Sequence, residues 1–211
     1  MARLADLDAV TFDANGTLIR LLDPVPKLER LLRGHGIERS ADAIRRAFEA
    51  EGRVYSGRAA LAGSPTAFAT VQRDCTGVFL EELEAELDAD EFTPSYVGAM
   101  QFEPMPGVPE SLRRLRRCGL ELAVVANFDP TLRSRLEEFG LALAFSTIVT
   151  PAEAGAAKPD PRIFELAIER LGVAPKRTLH IGDGAVDEEG AAAAGIDFEW
   201  APIPSALEAW A

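Results

Sequence analysis

Val10-Thr11-Phe12-Asp13-Ala14-Asn15-Gly16-Thr17-Leu18 is the stretch that decides the fold. A short apolar run, Ala9 to Phe12, delivers a single carboxylate, Asp13, into a loop closed by Gly16 and Thr17. The stretch Ala9–Asp13, this short and this apolar, reads as a buried parallel strand. Asp13 then stands at its C-terminal end, where open α/β sheets place their ligands. A carboxylate displayed there can act as a nucleophile, although Asp also caps turns.

Four further runs read as buried strands: Leu120–Ala126, Ser146–Val149, Thr178–Asp183 and Ile196–Trp200. Helical patterns separate the later ones. Pro106 to Cys118 carries Val108, Leu112 and Leu115 at helical spacing before Gly119, and Pro130 to Phe139 ends at Gly140. Pro161 to Leu171 carries Ile163, Phe164, Ala167, Ile168 and Leu171 before Gly172. This alternation predicts an α/β fold with a doubly wound parallel sheet. It is interrupted between residues 20 and about 100 by helical patterns at Val25–Arg33, Ala41–Tyr55 and Thr66–Leu87. A crossover needs only about a dozen residues, so this stretch predicts an inserted α-helical domain, joined near residues 19–24 and 92–106. The expected division is a core of residues 1–20 and 100–211 and a helical cap of residues 21–99. The C-terminal Ile203 to Trp210 predicts a last helix packing Leu207 and Trp210 on the core.

The 211 residues are 47% hydrophobic and 27% charged, as in ordinary globular proteins. A net charge of −12 argues against non-specific nucleic-acid binding, which needs a basic face. It also means that an anion site needs a local cation. No apolar run approaches the roughly 20 residues of a membrane span, and the N-terminus is short of a secretory apolar region. The two cysteines, Cys75 and Cys118, suggest neither a disulfide framework nor a metal site. These features lead to the expectation of a cytoplasmic protein with no membrane and no nucleic-acid partner.

Chemistry-bearing residues fall in four segments at strand ends: Asp13-Ala14-Asn15-Gly16-Thr17, Ala126-Asn127-Phe128-Asp129, Lys158-Pro159-Asp160-Pro161-Arg162-Ile163-Phe164 and His180-Ile181-Gly182-Asp183-Gly184-Ala185-Val186-Asp187. Asp183 and Asp187, with Asp13, make an oxygen-rich set suited to Mg²⁺; the pair also suits the acidic N-terminus of a following helix. Lys158, framed by Pro159 and Pro161, suits a fixed cation that orients a nucleophile and offsets charge on a transferring group. It also reads as a surface lysine before a helix. His180 lies inside a strand and reads as a packed or hydrogen-bonded core histidine.

In order and spacing, these segments resemble the four motifs of the haloacid dehalogenase (HAD)-like hydrolases, over residues 9 to about 200. The Asn127-Phe128-Asp129 and Lys-Pro-Asp-Pro-Arg-Ile-Phe strings look most like the subgroup named for carrying such a domain. The resemblance implies a Rossmann-like core with a helical cap between the first two motifs. It further implies a Mg²⁺-dependent hydrolase acting on a small phosphorylated substrate through an aspartyl-phosphate on Asp13. Asp13, Lys158 and the position of Asn15 would be catalytic. Ala126, Asn127 and Lys158 would bind the phosphoryl group. Asp13, the backbone carbonyl of Asn15, Asp183 and Asp187 would hold the metal.

Two positions depart from the family pattern. Asn15 stands where the family's phosphatases carry an acid/base Asp, and an amide cannot exchange a proton near neutral pH. Losing that help costs roughly 10²–10⁴-fold in rate. Ala126 stands where the family has Ser or Thr. The N–H groups of Ala126 and Asn127, and the Asn127 amide, are the expected substitutes for the missing hydroxyl. Three functions follow from the resemblance: a weak phosphatase, a 2-haloacid dehalogenase whose halide leaves unprotonated, or a phosphoryl-ligand binder without catalysis. In the helical insert, Arg45, Arg46, Arg53, Tyr55, Arg58, Gln72 and Arg73 are the candidate substrate contacts, with residues 53–58 foremost.

Overall fold

A computed structural model describes residues 4–60 and 62–210. The chain divides into two compact units, Met1–Arg20 with Glu103–Ala211, and Leu21–Phe102.

The first unit is built on a five-stranded sheet of β1 (Ala9–Phe12), β4 (Glu121–Val125), β5 (Thr147–Val149), β6 (Thr178–Gly182) and β7 (Asp197–Trp200), in the order β5-β4-β1-β6-β7. Every pairing is parallel, with Phe12 opposite Val124 on one side and Ile181 on the other. The strands are buried apolar runs because both faces are covered. Ala123 and Val125 pack in the cluster with Ile163, Phe164, Ala167 and Ile168 of helix α8 (Arg162–Leu171). Leu122 and Val124, which point to the opposite face, are as fully buried. After β1 the chain winds outward through β4 and β5, then returns to the other side of β1 for β6 and β7. The C-terminal end of β1 is thus the switch point, where ligand sites form. Helices α5 (Val108–Arg117), α6 (Leu132–Glu138) and α8 fall within their predicted spans. So does α10 (Ile203–Ala209), beside which Leu207 and Trp210 are buried. A further short helix, α7 (Pro151–Ala154), begins at a Thr150–Glu153 capping box. Helix α9 (Ala185–Ala193) follows β6.

The second unit holds four helices: α1 (Val25–Gly34), α2 (Ala41–Ala59), α3 (Pro65–Glu82) and α4 (Ala89–Ala99). Ser40, Ser64 and Asp88 cap the N-termini of α2, α3 and α4 by accepting the N–H three residues on. The predicted helix Thr66–Leu87 stops at Glu82, and α4 falls outside the predicted helices because it contains Pro94, a local stop signal. In α4 Pro94 sits on the exposed side, while Phe92, Tyr96 and Ala99 form the buried stripe. Packing of that stripe on Phe79, Leu80 and Leu83 outweighs the lost hydrogen bond. Arg39 satisfies the carbonyls left at the end of α3, donating to Leu83 O and Glu84 O. Two short strands, β2 (Ile19–Leu21) and β3 (Phe102–Pro104), pair with each other where the chain passes between the units. They were not predicted either, being too short to show a period.

Within the helical unit Glu51 is only 5% exposed. Burial pushes its carboxyl up from 4.5 to about 7, the neighbouring Tyr96 hydroxyl opposing in part. The folded state therefore holds this proton where the unfolded chain has lost it, and stability falls as pH rises between about 4.5 and 7. At about 1.4 kcal/mol per unit, Glu51→Gln should gain on the wild type by roughly 2–3 kcal/mol between pH 5 and pH 8. Urea denaturation at both pH values measures this; a constant difference would show that Glu51 is charged in the fold.

Candidate active site

Three loops meet at the C-terminal end of the central strands. Asp13 follows β1, and its N–H extends the ladder by donating to Ile181 O at 2.9 Å. Its side chain is thereby aimed from the sheet edge while 7% of the residue is exposed. The chain then turns back sharply, with Leu18 and Ile19 N–H donating to Ala14 O and Gly16 N–H to Ile19 O. Gly16 has φ +88°, and a Cβ there would lie 1.9 Å from Asp183 Oδ2. Only glycine lets this loop pass so close to the Asp183 carboxylate. Gly182 serves the same end on β6, since a Cβ there would lie 2.4 Å from Asp187 Cγ.

Asp13, Asp183 and Asp187 present one oxygen each within 4.8 Å of one another. Lys158 Nζ lies between two of them, donating to Asp13 Oδ1 at 2.6 Å and to Asp187 Oδ1 at 2.5 Å. Its side chain is 2% exposed. Asp187 is fixed further by His180 Nε2 at 3.1 Å on Oδ1 and by Gly184 N–H at 3.1 Å on Oδ2. Burial raises Asp13, with Lys158 opposing and Asp187 adding to the rise. Against the same push of burial, the bonds from His180 and Lys158 bring Asp187 down to about 2. Asp183 is raised by burial and by Asp187. The structure thus offers one cation against three carboxylates. All of the donors are hard oxygens, one of them exposed, and the set fits a divalent cation such as Mg²⁺.

Two expected donors are engaged elsewhere. Ala126 N–H continues β4 and donates to Val149 O at 3.2 Å. The Asn127 amide uses both its atoms on the Lys158 backbone, Nδ2 donating to Lys158 O at 2.9 Å and Oδ1 accepting from Lys158 N–H at 2.7 Å. The lysine loop belongs to no strand or helix, and this amide supplies the non-local bonds that seat it. The Asn127 side chain therefore does not stand in for the absent hydroxyl at Ala126. Asn15 is exposed, on the loop between Asp13 and Gly16.

His180 is fully buried and hydrogen-bonded, as its place in a strand predicted. Its partner Thr11 was overlooked, although a lone hydroxyl in the run Ala-Val-Thr-Phe is a legible signal. Thr11 and His180 are register partners on β1 and β6, with Oγ1 to Nδ1 at 2.9 Å. The hydroxyl of Thr17 is buried with no hydrogen-bond partner. In the helical unit, Arg45 pairs with Asp23, Arg58 and Arg73 pair with Asp74, and Tyr55 packs on the Phe68 and Val71 cluster. Those four expected substrate contacts thus have partners inside the unit; Arg46 and Arg53 are exposed and Gln72 is half-buried.

A family model described as haloacid dehalogenase-like hydrolase matches residues 7–195. Haloacid dehalogenase-like hydrolase domain-containing protein 3 of Bos taurus is 32% identical over 206 residues, covering 93% of this chain and 82% of that protein. The (S)-2-haloacid dehalogenase of a Pseudomonas species is 27% identical, covering 92% and 82%. Among solved structures, a HAD phosphatase from Thermococcus onnurineus aligns with a TM-score of 0.58 at 27% identity, covering 92% of this chain and 86% of that one.

Removing the buried cation leaves Asp13 facing Asp187 uncompensated. Lys158→Met should lower stability by about 3–5 kcal/mol, measured by urea denaturation in EDTA. A loss below about 1 kcal/mol would show that the lysine does not hold the two carboxylates in solution.

Proposed function

Because this chain belongs to the haloacid dehalogenase-like hydrolases, with a family model matching residues 7–195, we propose that it is a Mg²⁺-dependent phosphatase of small phosphorylated molecules. Asp13 is its nucleophile. The observation that carries the reading is Lys158 Nζ, buried and shared between Asp13 and Asp187 beside the exposed carboxylate of Asp183. A 2-haloacid dehalogenase needs a nucleophile and a cation, but has no use for a third, exposed carboxylate. Phosphoryl transfer has one, because the transferring group brings its own negative charge and calls for a divalent cation that such a carboxylate would help to hold.

Asp13, Asp183, Asp187 and the carbonyl of Asn15 would hold the metal, which when bound would neutralise charge on the phosphoryl oxygens. The chain's own groups supply the rest. The Asp13 oxygen not taken by Lys158 attacks phosphorus, the bond to the leaving oxygen breaks, and an aspartyl-phosphate forms. Lys158 keeps Asp13 oriented and balances the charge that builds up. Water then attacks the phosphorus and frees the carboxylate. With Asn15 in place of an acid/base, the leaving oxygen departs without a proton from this position. The reading therefore favours esters with good leaving groups, such as acyl or aryl phosphates. The helical unit is read as the cap of this architecture.

A second reading, carbon–halogen hydrolysis, is favoured by Asn15 itself, since halide leaves unprotonated, and by the likeness to a dehalogenase. Turnover of a phosphate-ester panel and of 2-chloropropionate, each with and without Mg²⁺, separates the two. The expected result is slow Mg²⁺-dependent release of phosphate from aryl phosphates and a gain of about 10²-fold in Asn15→Asp on alkyl phosphates. Halide release without metal would overturn the phosphatase reading in favour of the second.

A further inference from the structure

Beneath the reacting groups runs a continuous chain of buried side chains: Thr11, His180, Asp187, Lys158 and Asp13. Its links are 2.9 Å from Thr11 Oγ1 to His180 Nδ1, 3.1 Å from His180 Nε2 to Asp187 Oδ1, 2.5 Å from Asp187 Oδ1 to Lys158 Nζ, and 2.6 Å from Lys158 Nζ to Asp13 Oδ1. Asp187 is a carboxylate and can only accept. Its Oδ1 takes two donors at once, so the proton of the His180 ring has to sit on Nε2. In the singly protonated ring Nδ1 then accepts from the Thr11 hydroxyl. The ring is packed between neighbours that restrict it: Phe164 meets it in a T-shaped contact with centroids 4.9 Å apart, and Phe198, its register partner on β7, lies at 6.2 Å. His180 and Thr11 are both 0% exposed, so neither can touch a substrate.

We propose that His180 is a positioning residue: pinned by Thr11, it holds the Asp187 carboxylate in the one orientation that keeps Lys158 Nζ against the Asp13 nucleophile. The proposal rests on the reading of Asp13 as the attacking group. Without the ring, Asp187 keeps only Lys158 on Oδ1 and the Gly184 N–H on Oδ2, and its carboxylate is less firmly held about its Cβ–Cγ bond. Lys158 then follows Asp187 or Asp13, but no longer bridges both. Partners that orient a reacting group in this way typically contribute 10–100-fold to activity or affinity.

The test has a spectroscopic arm and a kinetic arm. The chain has only two histidines, His35 and His180, so a long-range nitrogen–proton correlation spectrum of labelled protein holds two ring systems, assigned with His35→Gln. The expected His180 pattern is a protonated Nε2 and a hydrogen-bonded, unprotonated Nδ1. Thr11→Val, which keeps the shape and removes the donor, should move the Nδ1 resonance alone. An Nε2 without its proton overturns the proposal, because the ring then has nothing to donate to Asp187. In the kinetic arm, p-nitrophenyl phosphate with Mg²⁺ is the probe. His180→Phe should lose at least about tenfold in kcat with KM changed less than about twofold, Thr11→Val should lose less, and Thr11→Ser should restore the wild-type rate. An unchanged kcat in Thr11→Val and in folded His180→Phe also overturns it. Should the wild type not turn the ester over, the phosphatase reading fails, and the nitrogen spectrum alone decides whether the ring clamps Asp187.

Discussion

A buried ammonium shared by two buried carboxylates is the constraint on which the rest of this site depends. Ionised groups in a low-dielectric interior are tolerated only when paired and hydrogen-bonded. Lys158 satisfies Asp13 and Asp187 together, and the surrounding structure is arranged to make that possible. The lysine stands in a loop with no ladder of its own, seated by two bonds from Asn127. Asp187 lies in the first turn of α9 and is fixed by three donors. Asp13 sits at the end of the central strand. Each is rigid because of elements far apart in sequence, which is what pre-organisation of a charged site requires.

The same arrangement explains why glycines stand where they do. Gly16 and Gly182 approach Asp183 and Asp187 so closely that any Cβ would collide with a carboxylate. Three acidic groups are thus packed about one cation, a surplus of negative charge that a divalent metal or protonation would relieve. Burial displaces Asp13 and Asp183 upward, with Asp187 adding to the rise, whereas the bonds from His180 and Lys158 carry Asp187 downward against the same push. Asp187 is committed to Lys158 and His180, whereas Asp183 stays exposed.

Much of the fold was legible in the amino-acid order. All five core strands fall within the predicted spans, since a buried parallel strand is a short apolar run bounded by turn residues, as Ala9–Phe12 is. The elements that escaped did so for identifiable reasons. Helix α4 contains Pro94, a local stop signal overridden by the burial of Phe92 and Tyr96 on α3. Strands β2 and β3 are three residues each and exist only through their mutual pairing. At the site, Asp13, Lys158, Asp183 and Asp187 could be singled out by residue type and spacing. The true partner of the Asn127 amide could not, because the Lys158 backbone is 31 residues away in sequence.

By itself, then, the sequence determined the alternation of strands and helices, the carboxylates and lysine at strand ends, and the absence of an acid/base carboxylate at Asn15. These are local properties, set by residue chemistry and short-range spacing. Only the tertiary structure decided which groups share protons and charge. It turned the Asn127 amide onto the lysine backbone, tied the Ala126 N–H to Val149, and joined Thr11 to Asp13 through His180, Asp187 and Lys158. The physical reason is that a hydrogen bond or buried ion pair depends on distances of about 3 Å, and parallel sheet register brings together residues separated by well over a hundred positions.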